Sequence, residues 1–375
     1  MSTRIEFHVL QSFAPSNLNR DDTGSPKDGV FGGVRRGRIS SQALKRAARL
    51  HMRDGGLIPA HAGSTRTKRL VHLIEKRLEG RVDPAVAQGA AVNVLAKVGS
   101  QKKIQAKPAK GGSEPLTEYL LFVGESELEE IVEVIAAQAE ELSNPKSKAL
   151  DAAGLAVTEI LKRKGSGSVD VALYGRMLAN LPEGNADAAC QVAHAISTHR
   201  VDREFDYFTA VDDENPADSS GAGMIGTVEF NSSVYYRYSV VDVDQLRANL
   251  ADDKVLTANA VSAYARSVVE SAPSGKQNTF AAHNPPSVVL VTVRRHGGPA
   301  NLANAFEKPV SQAGGGLVEA SATALREYWH KLDGAYGKAD DAWVLDLTGT
   351  FDSDKGVTRV ASLDELVAAV RAASM

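Results

Sequence analysis

Asn19 to Arg53 reads N-R-D-D-T-G-S-P-K-D-G-V-F-G-G-V-R-R-G-R-I-S-S-Q-A-L-K-R-A-A-R-L-H-M-R, and its two halves differ in kind. Up to about Arg38, glycine, aspartate and proline make a loop. From Ser40–Ser41 onward, Leu44, Ala47, Ala48, His51 and Met52 recur at i, i+3, i+4, i+7 and i+8, which predicts a helix capped by these serines and running to about Arg53. The stretch also concentrates charge. Arg20, Lys27, Arg35, Arg36, Arg38, Lys45, Arg46, Arg49 and Arg53 stand against Asp21, Asp22 and Asp28, a local +6 in a chain of net −3, so the remaining residues together carry −9. Such polarisation points to one polyanion-binding face on an otherwise acidic body.

Outward from this stretch the periodicities change repeatedly. Ile5 to Phe13 alternates polar and apolar residues, as a strand with one buried face does. Residues 65 to 98 predict two helices broken near Asp83–Pro84. A lysine-bearing loop at 101–112, a short strand at 116–123 and helices at about 126–141 and 148–163 complete a mainly helical insertion. Val169 to Met177 has strand character, 184–198 helix character, and 200–226 is loop-like around the aromatic strand F-D-Y-F-T-A-V. E-F-N-S-S-V-Y-Y-R-Y-S-V-V, from Glu229, predicts a long strand; a helix spans about 254–271, and S-V-V-L-V-T-V, from Ser287, predicts a buried strand. Without the insertions the order is β, α, β, β, α, β. This is an α+β, ferredoxin-like plan, shared with RNA-recognition modules.

The bulk numbers set limits. A chain of 375 residues with 43% hydrophobic and 24% charged residues can build two or three globular domains. The start, M-S-T-R-I-E-F-H-V-L, lacks a secretory apolar core, and no run reaches the roughly 18 apolar residues of a membrane span, so a cytoplasmic, membrane-free chain is expected. Cys190 is the single cysteine, which excludes an intrachain disulfide and a cysteine-based zinc site; a small buried residue on a helix is its expected role.

On the first helix Lys45, Arg49 and Arg53 stand four apart beside Gln42 and Arg46, a ridge of donors opposite the apolar stripe. The start at Ser40–Ser41 offers free N–H groups and a positive dipole end to a phosphate. A solvated basic face is the plainer alternative. Against it, acidic i,i+4 partners are missing and Arg35, Arg36 and Arg38 immediately precede the cap. Phe205-Asp206-Tyr207-Phe208-Thr209 could present aromatics on which single-stranded bases stack, although an ordinary core strand has the same composition.

Other signals weaken on inspection. Gly221-Ala-Gly223-Met-Ile-Gly226 fits a dinucleotide fingerprint but lacks the strand before and the helix after. Ser274-Gly275-Lys276-Gln277 resembles the end of a phosphate loop with Glu270 and Gln277 in the wrong places, which leaves Lys276 as a lone phosphate-reaching lysine. His194 and His199 lie five apart, roughly 140° on a helix, and cannot share a metal there. Asp21, Asp22 and Asp28 could serve acid–base or metal-assisted RNA cleavage; bracing the arginines around them is the stronger reading. No metal or cofactor is expected.

N-L-N-R-D-D (from Asn17), K-D-G-V-F-G-G-V-R-R-G-R-I-S-S-Q-A-L-K-R-A (from Lys27), A-L-Y-G-R-M (from Ala172), A-H-A-I-S-T-H-R-V-D (from Ala193), Y-F-T-A-V-D-D (from Tyr207) and N-L-A-N-A-F-E-K (from Asn301) together resemble the CasC family. These are the repeated crRNA-binding backbone subunits of the type I-E CRISPR surveillance complex, Cascade. The resemblance implies an RNA-recognition-motif-like palm at 1–54, 165–200 and 227–375, helical fingers at 55–164 and a thumb β-hairpin at 200–226. It implies a non-enzymatic subunit that polymerises with its own copies along a guide RNA, meets target DNA through the guide, and joins the large, small, CasD-type and CasE-type Cascade subunits and a recruited helicase-nuclease. Guide contacts would fall on Arg20, Lys27, Ser40, Gln42, Lys45, Arg46, Arg49, Arg176 and Lys276, and Met177, Tyr207, Phe208 and Thr209 would wedge a kink in the guide. The alternative is a backbone endoribonuclease, as in type III complexes, that cuts with Asp21, Asp22 or Asp28.

Overall fold

The alternation that opens the chain becomes β1 (Arg4–Ser16) in a computed structural model that describes residues 2–99, 103–108, 112, 114–163, 165, 167–210, 224–311, 316–352, 354 and 356–375. Sequence predicts one buried face for this strand, yet both are covered: Glu6 and His8 are as buried as Ile5 and Phe7. A carboxylate survives there only with partners. Glu6 accepts from the Tyr238 hydroxyl at 2.7 Å and from Arg294 Nε at 3.0 Å, and Arg294 reaches on to Asp333 at 2.7 Å. His8 Nδ1 lies 2.9 Å from the Tyr236 hydroxyl.

After β1 come β2 (Asp28–Phe31), β3 (Val34–Ile39) and α1 (Ser41–Asp54). The chain then builds β4 (Ser64–Thr67), α2 (Leu70–Leu78), α3 (Pro84–Leu95), β5 (Ala106–Pro108), β6 (Pro115–Thr117), β7 (Leu121–Gly124), α4 (Glu125–Ala136), α5 (Ala139–Ser143), α6 (Ala149–Lys162) and α7 (Val169–Tyr174). Next are β8 (Cys190–Val192), β9 (Ala195–Ser197), β10 (Glu204–Ala210), β11 (Met224–Asp242), α8 (Val243–Asn249) and α9 (Lys254–Glu270). The end comprises α10 (Gln277–Phe280), β12 (Val288–Arg294), α11 (Leu317–Tyr336), β13 (Asp341–Asp346), β14 (Thr358–Arg359) and α12 (Leu363–Ala373).

The main sheet has the order β14-β13-β12-β1-β11-β9-β3-β2, with β8 and β10 also paired to β11. Its centre, β12-β1-β11-β9, is antiparallel throughout, and α1 and α9 lie in sequence between β1 and β9 and between β11 and β12. This is the split βαβ arrangement the sequence order predicts. All seven residues of β12 are buried. One side-chain cluster gathers Leu10, Tyr236, Leu290, Phe306, Leu325 and Trp329; another joins Leu44 of α1 to Phe13, Ile39 and Tyr235.

Two local expectations are corrected. Val169–Tyr174 is helical, not a strand: Val169 to Leu173 are all buried, and a short apolar run buried all round carries no period to separate helix from strand. Gly175 ends it at φ 77°, where an added Cβ would lie 2.9 Å from Ala186 O. The predicted 184–198 helix is instead a 3₁₀ turn at Pro182–Gly184 followed by β8 and β9. Alanine-rich composition favours a helix there, but pairing of Ala195 and Ile196 with Ile39 and Arg38 prevails. Cys190, buried as expected, therefore begins a strand.

The chain divides into two compact units. One comprises Met1–Gly55, Gln191–Asp242 and Val261–Met375 and holds the main sheet. The other comprises Gly56–Cys190 and Val243–Ala260, and its core is built from residues such as Leu70, Ile74, Val94, Ile131, Ile135 and Val157. Among the described residues no helix is long and apolar enough to cross a membrane.

Candidate nucleic-acid interface

Ser40 caps α1, accepting from Ala43 N–H at 3.3 Å, and Ser41, Leu44, Ala48 and Met52 turn inward. That stripe fixes the opposite face. Gln42, Arg46 and Arg53 are exposed, and Lys45 and Arg49 half-exposed. The helix has no acidic residue in its first turn, and its one acid, Asp54, is paired with Arg53 at 2.8 Å. The amino end thus keeps its affinity for anions.

The preceding loop is laced to this helix by Asn19, a residue that charge counting passes over. Its Oδ1 accepts from Ser40 N–H at 2.8 Å and its carbonyl from Lys27 N–H at 2.8 Å, so helix cap and lysine share one anchor. Arg20 is exposed beside it. Asp21 closes an Asx turn, accepting from Thr23 and Ser25; these bonds, the Thr23 hydroxyl first, hold its carboxyl below the usual range. Asp28 takes Arg35 at 2.6 Å and Arg203 at 2.9 Å. Asp22 is exposed.

The cluster Arg35-Arg36-Arg38 is not one surface. Arg36 is 1% exposed and donates to the carbonyls of Phe31, Ser197 and Phe306 at 3.2, 3.0 and 2.7 Å. It ties β3 to the chain around Phe306, whereas Arg38 remains partly exposed.

Arg176 also departs from its expected role. It is 6% exposed in the second unit, paired with buried Glu127 at 2.7 Å and bonded to the carbonyls of Gly184 and Leu161 at 3.0 and 2.9 Å. A guanidinium so enclosed is a structural brace and has little to offer a phosphate. Its neighbour Met177 is 80% exposed.

β10 and β11 form an antiparallel hairpin in which Tyr207 pairs with Thr227 and Phe208 with Gly226. Tyr207 is 63% exposed and Thr209 exposed, so this is no core strand. Phe208, 39% exposed, covers Gly226 so closely that an added Cβ there would meet its ring at 2.4 Å. Gly221 and Gly223 of the glycine motif lie outside the described residues. Lys276, at φ 51°, precedes the four-residue α10. Gly275 before it approaches Leu18 O so closely that an added Cβ would lie at 2.3 Å, which brings this loop against Asn17 and Leu18.

One sheet unit therefore holds Arg20, Lys27, Ser40, Gln42, Lys45, Arg46, Arg49, Tyr207, Phe208, Thr209 and Lys276, whereas Arg176 and Met177 belong to the other. No curated protein matches the chain. Among solved structures, a chain of a "CRISPR RNA-guided surveillance complex, pre-nicking" is 31% identical, with 99% of this chain and 100% of that one covered and a TM-score of 0.88. A chain of another "CRISPR RNA-guided surveillance complex" is 27% identical over 98% of this chain and 99% of that one, with a TM-score of 0.75. The sequence profile of the CT1975-like proteins matches residues 5–369, and the chain belongs to that family.

Proposed function

We propose that this protein is a crRNA-binding backbone subunit of a CRISPR surveillance complex of the type I-E Cascade kind. The observation that carries the reading is the α1 face: Gln42, Lys45, Arg46 and Arg49 project from a helix whose amino end has no acid, on a ferredoxin-like sheet unit that also bears an exposed aromatic hairpin. Phosphate donors and stacking surfaces without a base-edge code suit a protein whose sequence information comes from guide pairing. Copies aligned along one guide would gain affinity through effective concentration. Target DNA would be met through the guide, in the cytoplasm, with the large, small, CasD-type and CasE-type subunits and a recruited helicase-nuclease as partners.

The proposed role is non-enzymatic. Asp21 and Asp28, two of the three carboxylates that could cut RNA, are engaged in the Asx turn and the arginine pairs. Purification of the full chain with a transcript containing repeat sequence tests the reading. Capture of RNA carrying the repeat sequence is expected, and recovery without nucleic acid would refute it. Incubation of that complex with complementary RNA is expected to leave the RNA intact; periodic cleavage abolished by Asp22→Ala would make the protein a ribonuclease.

A further inference from the structure

His194 immediately precedes β9, whose Ala195 pairs with Ile39, one residue before the Ser40 cap. Its exposed ring thus stands at the margin of the α1 face. Nδ1 lies 3.1 Å from Arg38 Nη1. A guanidinium only donates, so Nδ1 is the acceptor and the ring proton sits on Nε2. Arg38 is itself held, its Nε donating to Asp28 O at 3.0 Å.

The charges acting on this ring come from three elements and are all positive. Partial burial first, then Arg38 of β3, Lys27 of the loop and Lys45 of α1 hold the imidazole below its ordinary range. It is therefore an uncharged N–H donor ringed by cations near neutral pH, where a phosphate oxygen would complete the set.

We propose that His194 is a nucleic-acid contact, donating Nε2–H to a backbone phosphate flanked by Lys27 and Lys45, with Arg38 as its positioning residue. The proposal rests on the nucleic-acid reading above and extends its site to the residue that leads into β9. A neutral donor leaves its own signature. Loss of a cation flattens the salt dependence of binding by roughly 0.7 per phosphate contact on single strands, whereas loss of an uncharged donor lowers affinity and leaves the slope unchanged.

The experiment titrates short oligouridine against the full chain at several salt concentrations near pH 7.5. His194→Ala is expected to bind about tenfold more weakly, as for loss of one hydrogen bond to a charged group, with the wild-type slope. His194→Gln, which keeps an amide N–H in a similar place, should stay within about threefold of wild type. Lys45→Ala with Arg49→Ala serves as the reference. Wild-type affinity in His194→Ala, a glutamine variant as weak as the alanine one, or a flattened slope would each overturn the assignment while leaving the nucleic-acid reading intact. If the reference variant binds like wild type, that reading fails and the His194 assignment falls with it.

Discussion

The outer face of α1 and Arg176 both set basic side chains inside conspicuous motifs, and they use their charge in opposite ways. On α1, the residues turned outward are Gln42, Lys45, Arg46, Arg49 and Arg53, and the only acid of the helix lies at its last position. Around Arg176 the guanidinium is enclosed by a buried carboxylate and backbone carbonyls. A basic residue inside a recognisable motif thus says little about its role until the position of its counter-charge is known. Motif matching treats Arg49 and Arg176 alike, and burial separates them.

The sharpest way to break this contrast is Arg176→Ala. It would leave Glu127 charged and uncompensated, so the second unit should lose about 3–5 kcal/mol in denaturant unfolding. Combining Arg176→Met with Glu127→Leu should recover much of the loss, because removing both charges removes the penalty. A near-neutral single variant would return Arg176 to the surface class. On the other side of the comparison, Lys45→Ala with Arg49→Ala should weaken RNA binding by about 2–3 kcal/mol and flatten the salt slope by roughly 1.4, with the melting temperature unchanged. A fall in melting temperature would make those residues structural instead.

Histidines extend the contrast. Burial above all, opposed by Glu6 and helped by Arg294, pushes His8 down to about 4. The unfolded chain, with an ordinary imidazole near 6.5, binds the extra proton first, so stability is lost as pH falls from about 6.5 towards 4. Between pH 7 and pH 5 this one group should remove roughly 2 kcal/mol, read from denaturant midpoints. His8→Gln should flatten that limb, and an unchanged limb would mean another group drives it. The smallest effect is expected at the hairpin. Phe208→Ala should change stability by under about 1 kcal/mol while relaxing the distortion of bound RNA, followed by aminopurine fluorescence. Loss of folding would place Phe208 in the core.

Much of this architecture was legible because its long elements carry clear periods. The α1 stripe, the serine cap, β11 and α9 all fall where their patterns put them. What escaped was decided by partners distant in sequence. Nothing local in V-D-V-A-L-Y separates a buried helix from a buried strand, and β9 exists because β3 and β11 flank it. For the candidate site, the cationic ridge was readable from residue type and spacing, whereas composition left the aromatics of β10 open between a core strand and an exposed hairpin. The inward turn of Arg36 and Arg176 was not, since the carbonyls and carboxylate that hold them lie elsewhere in the chain. Asn19 could have been found only through its place in N-L-N-R-D-D, beside residues with louder chemistry.

The ends of the large sheet carry one more consequence. It stops at β14, two residues long, on one side and at the four-residue β2, with Asp28 clasped by two arginines, on the other. Margins this short and this charged give a passing strand few backbone groups to zip onto. Copies crowded edge to edge at either of these two margins therefore gain little from pairing backbone to backbone.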